Sequence, residues 1–219
     1  MINTSQIFSQ IFSQLWWMLL IIIAIGVFKA FKPYFKGKLG EFAVSTHVKL
    51  YLNNEDYILL NDCTLPDDQG GTTQIDHIVL SPFGIFIIET KNYTGWIFGT
   101  ERQKTWTQRF SNGKTFKFQN PLHQNYKHQK VLEKILEDLI DPAHLHSVIV
   151  FMPDCEFKTA MPANVFKGAK WTDYVKTFKE PVISEMKLKR IQRRVEKEVL
   201  ERSWKTNRAH VEYLKQNKQ

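Results

Sequence analysis

The sequence predicts an α/β domain, a mixed β-sheet core flanked by helices, with one transmembrane helix ahead of it. Three observations predict this. Ile75–Leu80 and Gly84–Thr90 are rich in β-branched residues and are joined by Ser81-Pro82-Phe83-Gly84, the pattern of a tight hairpin. Ser147–Met152 is almost wholly apolar, as a strand buried on both faces is. Residues 2–28 carry no charged side chain, and Leu15–Phe28 is an unbroken apolar run. At 219 residues and 43% hydrophobic, the chain has room for one globular domain of ordinary size plus appendages.

The apolar run is bounded by Trp16-Trp17 near its start and by Lys29, Lys32, Lys36 and Lys38 after its end. It falls short of the ~20 residues that cross a bilayer, but the uncharged flank with Ile7, Phe8, Ile11 and Phe12 extends the membrane contact to residues 7–28. An interfacial or buried core helix is the alternative. A cleaved signal peptide does not fit, because no basic stretch precedes the run and no small-x-small site precedes Lys29. Lysines on the C-terminal side alone predict a single pass with the rest of the chain in the cytoplasm. The expected division is therefore residues 1–32 as anchor, 33–150 as core and 151–219 as an extension with a basic amphipathic helix.

Within the core, Gly37-Lys38-Leu39-Gly40-Glu41 opens a helix in which Val44, Val48, Tyr51 and Leu52 recur at helical spacing, ending near Asn53-Asn54. A strand at 57–60 and a loop at 66–71 lead to the hairpin. Trp96-Ile97-Phe98, Trp106–Arg109 and Lys114–Phe118 read as short strands, the last two joined by an Asn112-Gly113 turn. Trp96 and Trp106 are expected in the core rather than as platforms for stacked bases. Asn120 is a helix N-cap with Pro121 at the first helical position, and Leu122, Tyr126, Leu132, Ile135 or Leu136, and Leu139 form a stripe running to about Ile140. A final helix capped by Ser184 carries Leu188, Ile191, Val195 and Val199 on one face.

The net charge of +8 sits at the ends. Residues 29–38 contribute +4 and residues 187–219 contribute +7, from eleven Lys or Arg against four Glu, which leaves the body between them at −3. The first cluster follows the span and suits anionic headgroups; the second fits nucleic acid, lipid or a solvated helix face, the last weighing as much as the other two together. Cys63 and Cys155 match neither a metal-ligand spacing nor a disulfide framework, which excludes small zinc and cystine-stapled folds and suits a reducing compartment.

If the hairpin turn is tight, Ser81 faces Gly84 and paired residue numbers sum to 165. Asp76 then stands opposite Glu89 and Gln74 opposite Lys91, all four on one face, with His77 turned away. Directly opposed carboxylates about 5 Å apart repel unless a cation lies between them, and Mg²⁺ is such a cation.

These residues resemble the NERD domain, a nuclease-related family within the PD-(D/E)xK restriction-endonuclease-like superfamily. The resemblance spans about residues 37–150. It rests on Gly37 to Glu41, on Gln74-Ile75-Asp76-His77, on Glu89-Thr90-Lys91 followed by Asn92-Tyr93-Thr94-Gly95, and on Asn120-Pro121 with Gln124. Ile75 stands where the superfamily usually has proline.

The resemblance implies a restriction-endonuclease-like fold in which Asp76 and Glu89 bind the metal, Glu41 supplies the acid of the first helix and Lys91 is catalytic. The implied activity is phosphodiester hydrolysis of nucleic acid, DNA before RNA, with Mg²⁺ or Mn²⁺. Lys91 would orient the water, Glu41 would complete a metal shell, and Gln74 would contact the scissile phosphate or fix Lys91. Gln124 and His128 lie four apart on one helix face, either toward the site or as a surface stripe. The alternative function is a catalytically silent, membrane-tethered scaffold that binds nucleic acid or protein, and the slightly acidic body favours it.

Overall fold

The computed structural model of this protein describes residues 4–68 and 70–200. They fall into two units, up to Leu39 and from Gly40. The first unit is the N-terminal part of helix α1 (Thr4–Tyr51). Within it Leu15–Lys32 has a mean hydropathy of 1.9 and no buried residue, and by length and composition it is apolar enough to cross a membrane.

The second unit is built on two mixed sheets. The larger has the order β1 (Ile58–Pro66), β2 (Thr72–Ser81), β3 (Gly84–Lys91), β7 (Leu145–Phe151), β9 (Val165–Lys167). β1, β2 and β3 pair antiparallel, whereas β3, β7 and β9 pair parallel. The smaller has the order β6 (Thr115–Gln119), β5 (Thr105–Arg109), β4 (Gly95–Phe98), β8 (Cys155–Phe157), with only the β4–β8 pair parallel.

The central strands carry apolar runs at 78–80, 85–88 and 148–151 because both faces of the large sheet are covered there. On one face, Ile78, Leu80, Ile85 and Ile87 meet Leu132 of α2 (Pro121–Ile135) and Leu188, Ile191 and Val195 of α4 (Glu185–Glu198). On the other, Val79, Phe86, Ile88, Val148 and Val150 meet Val44 and Val48 of α1 and Trp171 and Val175 of α3 (Trp171–Val175). A third cluster closes the inner face of the small sheet, where the Trp106 ring stacks on Phe151 at 6.0 Å and 8°.

The structure differs from the expected elements in five places. The helix expected to open at Gly37 is the C-terminal part of α1, which begins at Thr4. The single predicted mixed sheet is two, because β8 leaves the large sheet to pair with β4. β1 runs to Pro66 rather than to residue 60. α2 stops at Ile135, and the chain turns at Leu136–Ile140 ahead of Pro142, which bars helical backbone at the residue before it. β8, β9 and α3, absent from the sequence reading, are too short for periodicity to register. The segment after residue 150 joins both sheets through β8 and β9, and α4, capped by Ser184 as expected, packs in the same core as α2. Of the basic run over 187–219, the part beyond Leu200 lies outside the described residues.

Candidate functional site

The hairpin keeps its predicted register, Ser81 facing Gly84 and His77 facing Ile88. Ser81 closes the turn: its hydroxyl donates to the Gly84 carbonyl at 2.9 Å and accepts from the Phe83 N–H at 3.2 Å. The β2–β3 ladder ends at His77–Ile88, one step short of Asp76 and Glu89. Beyond it the Asp76 carboxylate takes over the strand contact, Oδ2 accepting from the backbone N–H of Thr90 at 2.8 Å.

A kink in β1 and β2 decides where the neighbouring side chains go. Asp62 on β1 has φ of 58°, a left-handed conformation that Asp tolerates better than most residues. Around it Leu60 and Cys63, and on β2 Ile78 and Ile75, meet the same core cluster. A step of three replaces the even step of regular alternation.

Gln74 pairs with Thr64 in the ladder, and its amide donates to Asp62 Oδ1. Because the β2–β3 ladder stops at His77–Ile88, the expected pairing of Gln74 with Lys91 does not form. His77 is turned away as expected, buried with Nδ1 2.7 Å from Asn61 Oδ1.

Glu89 and Lys91 stand at the end of β3, where α2 supplies their partners. Glu89 is 2% exposed; Oε1 accepts from Lys91 Nζ at 2.6 Å, and Oε2 lies 3.2 Å from His128 Nε2. Lys91 Nζ also donates to Gln124 Oε1 at 2.9 Å, and His128 Nδ1 lies 2.6 Å from Thr73 Oγ1. An ionised Glu89 only accepts, so His128 Nε2 carries a proton, and the Thr73 hydroxyl satisfies Nδ1 whether it donates or accepts.

The azimuth of α2 is set by Asn125, whose Nδ2 donates to the Ile87 carbonyl and to Ser147 Oγ, each at 2.8 Å. Its entry is set by Asn120, whose Oδ1 accepts from the Leu122 N–H while Nδ2 donates to the carbonyls of Glu101 and Gln103. The buried residues of α2 are thus Pro121, Asn125, His128 and Leu132; of the predicted stripe Leu132, Leu136 and Leu139 are buried and Leu122 and Ile135 partly so, whereas Tyr126 is exposed. Counting back from Leu132 by four, seven and eleven would have found His128, Asn125 and Pro121.

On the opposite side, α1 approaches through Gly40. A Cβ there would lie 3.1 Å from Asn92 Cβ and 3.2 Å from Thr90 Cγ2, so the missing side chain lets the helix rest on the end of β3. The next residue, Glu41, comes close enough for its charge to act on Asp76.

The electrostatics are asymmetric. Loss of hydration and then the charge of Glu89, helped by Glu41, hold the Asp76 carboxyl well above the ordinary carboxylate range despite the Thr90 N–H and Lys91. Burial also pushes Glu89 up, but the Lys91 ammonium and the His128 hydrogen bond outweigh it and leave Glu89 below its ordinary value. Burial would lower Lys91, yet Glu89 holds it raised. The Lys91 ammonium is thus the cation that opposed carboxylates require, and it is committed to Glu89.

Among the described residues, no three His, Cys, Asp or Glu side chains are grouped as a metal cage. Asp76 and Glu89 nevertheless suit Mg²⁺, which keeps several waters and binds proteins through one or two carboxylates. An under-compensated carboxyl such as Asp76 is the kind of donor a divalent ion stabilises.

The family model of the nuclease-related domain matches residues 36–152, a span that contains every residue of this cluster. An uncharacterized protein of Bacillus anthracis is 42% identical over 144 residues, covering 64% of this chain and 66% of that protein. The chain thus spans just under two thirds of that relative's length. No solved structure matches it.

Proposed function

The chain belongs to the nuclease-related domain family, and from that premise we propose that it hydrolyses phosphodiester bonds of nucleic acid, DNA in the first instance, with a divalent metal ion. A nuclease-related role and a general affinity for nucleic acid follow from the family. The reaction, the metal and a kinship with restriction-endonuclease-like enzymes are our reading. The observation that carries it is the Lys91 ammonium, held by Glu89 and Gln124 beside an Asp76 carboxyl kept well above its ordinary range.

We assign Asp76 and Glu89 as ligands of Mg²⁺ or Mn²⁺, with water filling the rest of the shell and Glu41 adding its charge from α1. Such an ion, when bound, polarises a phosphoryl oxygen, stabilises the leaving alkoxide and assists deprotonation of water. Lys91 orients the attacking water and offsets charge developing on the phosphoryl oxygens. Gln124 aims the ammonium, and His128 fixes the second Glu89 oxygen. Gln74, bonded to Asp62, supports the kink that presents Asp76. Residues 7–28 tether the domain as a single pass, with residues 33–219 in the cytoplasm.

The test is cleavage of supercoiled DNA and of single-stranded DNA by the full chain held in detergent. Cleavage should require Mg²⁺ or Mn²⁺ and should be lost in Asp76→Ala. The second reading, a silent tethered scaffold, is favoured by the −3 charge of the body between residues 39 and 186. It takes over if wild type and Asp76→Ala both bind nucleic acid and neither cuts it.

A further inference from the structure

The small sheet has one face in the core and one toward water. Ile97, Trp106, Cys155 and Phe157 line the inner face against β7. Alternation sends the residues between them outward, where the pairing aligns two rows across the strands. One row runs Thr115, Arg109, Trp96, Glu156. The other runs Lys117, Thr107, Phe98, and Lys158 follows beside Phe98, its N–H donating to the Ile97 carbonyl at 2.9 Å.

Trp96 was expected in the core with Trp106. Trp106 is fully buried, whereas Trp96 is only half-buried and carries a cation on each side, Arg109 at 5.9 Å and Lys158 at 5.3 Å from its ring centre. Glu156 pins Lys158 against the ring through an ion pair and cancels that charge, so the surplus positive charge of the face comes from Arg109 and Lys117.

We propose that this outer face, with Trp96 and Phe98 as stacking rings and Arg109 and Lys117 as phosphate contacts, is a platform for single-stranded nucleic acid. An outward aromatic on an open sheet offers a π-face that any unpaired base fits, and a four-stranded sheet with two such rings suits two or three bases. The bases of a duplex are already stacked on each other and leave the rings uncovered. Arg109 and Lys158 lie over the Trp96 ring, so a base that stacks there takes the place of Arg109 and leaves the guanidinium to the neighbouring phosphate.

The platform is also rooted at the candidate site. β4 begins four residues after Lys91, and β8 begins four residues after Phe151, the cross-strand partner of Lys91. A strand seated on the sheet is therefore held next to the ends of β3 and β7. The proposal rests on nucleic acid being the substrate, and it makes that substrate single-stranded.

The test is binding of a fluorescent oligothymidylate and of a duplex of equal length to the full chain in detergent, read by anisotropy in EDTA so that no cleavage enters. Wild type should prefer the single strand. Trp96→Ala should weaken it about tenfold or more, Trp96→Phe should stay within about threefold, and the duplex should be little affected. Arg109→Ser with Lys117→Ser removes two exposed cations without touching the core and should lower the salt slope by about 0.7 for each. Should Trp96→Ala lower the melting temperature, the decision falls to this charge pair and to Trp96→Phe. Unchanged single-strand affinity and salt slope in the charge pair overturns the platform and leaves the nuclease reading standing. Equal losses for duplex and single strand overturn the choice of substrate. Absence of any binding by wild type overturns both.

Discussion

At the scale of single residues, Lys91 and Asp76 answer different questions. Lys91 is assigned to the transition state, so Lys91→Ala should lower the cleavage rate by about two to four orders of magnitude, with a smaller change in nucleic-acid affinity. It also strips the buried Glu89 of its ammonium, a loss on the order of 3 kcal/mol, which His128 reduces by remaining on the second oxygen. Single-turnover kinetics beside a denaturant titration separate the two effects, and wild-type turnover in Lys91→Ala would sink the assignment.

Asp76 behaves in the opposite sense. Its native carboxyl binds a proton more tightly than the unfolded chain does, so its contribution to stability is full below the unfolded carboxylate range and is lost as pH rises through the raised native value. In EDTA, Asp76→Asn should therefore melt at the same temperature as wild type in acid and at a higher one toward neutral pH. Mg²⁺ or Mn²⁺ should raise the wild-type melting temperature by mass action and leave Asp76→Asn unmoved. An identical metal response in the two proteins would remove Asp76 from the metal site.

At the scale of elements, α2 couples the fold to the site. Its buried stripe is apolar at Leu132 and polar at Asn125 and His128, because its C-terminal half packs on the core and its N-terminal half on the end of β3. Asn125→Ala leaves the Ile87 carbonyl without the amide that caps it and should cost about 1–3 kcal/mol. Because the same bond sets the rotation of the helix, the variant should also loosen the Gln124–Lys91 contact. The expected readout is a fall in kcat larger than that of an equally destabilising core variant such as Leu188→Ala, both measured well below their melting temperatures. Equal falls in the two variants would reduce Asn125 to a purely structural role.

For the whole molecule, the proposal that the domain works at a membrane rests on the apolar helix and the charge layout. Leu15–Lys32 meets the length and composition of a span, and the lysines lie only at and after its C-terminal end. The full chain should fractionate with membranes, resist high salt and alkaline wash, and place a reporter fused at Gln219 in the cytoplasm. Release by salt alone would reduce the anchor to surface attraction. Tethering would restrict the nuclease-like domain to nucleic acid brought to the membrane, where a platform for unpaired strands selects flexible substrates over stiff duplex.

What the sequence determined by itself is local. The Ser81–Gly84 turn sets the hairpin register, Asn120-Pro121 and Ser184 open their helices, and Leu188, Ile191 and Val195 mark the buried face of α4. Each of these depends on residues within a turn or two of one another, where spacing maps directly onto geometry. The tertiary structure decided the rest: that Gln74 serves Asp62 instead of Lys91, that His128 reaches Thr73 across 55 residues of chain, and that Trp106 is core while Trp96 looks outward. A left-handed residue in one strand shifts the alternation of its neighbour, and a polar helix face is read as solvent-facing until the sheet end that it covers is known. Those outcomes belong to which elements touch, and no short stretch of sequence carries that information.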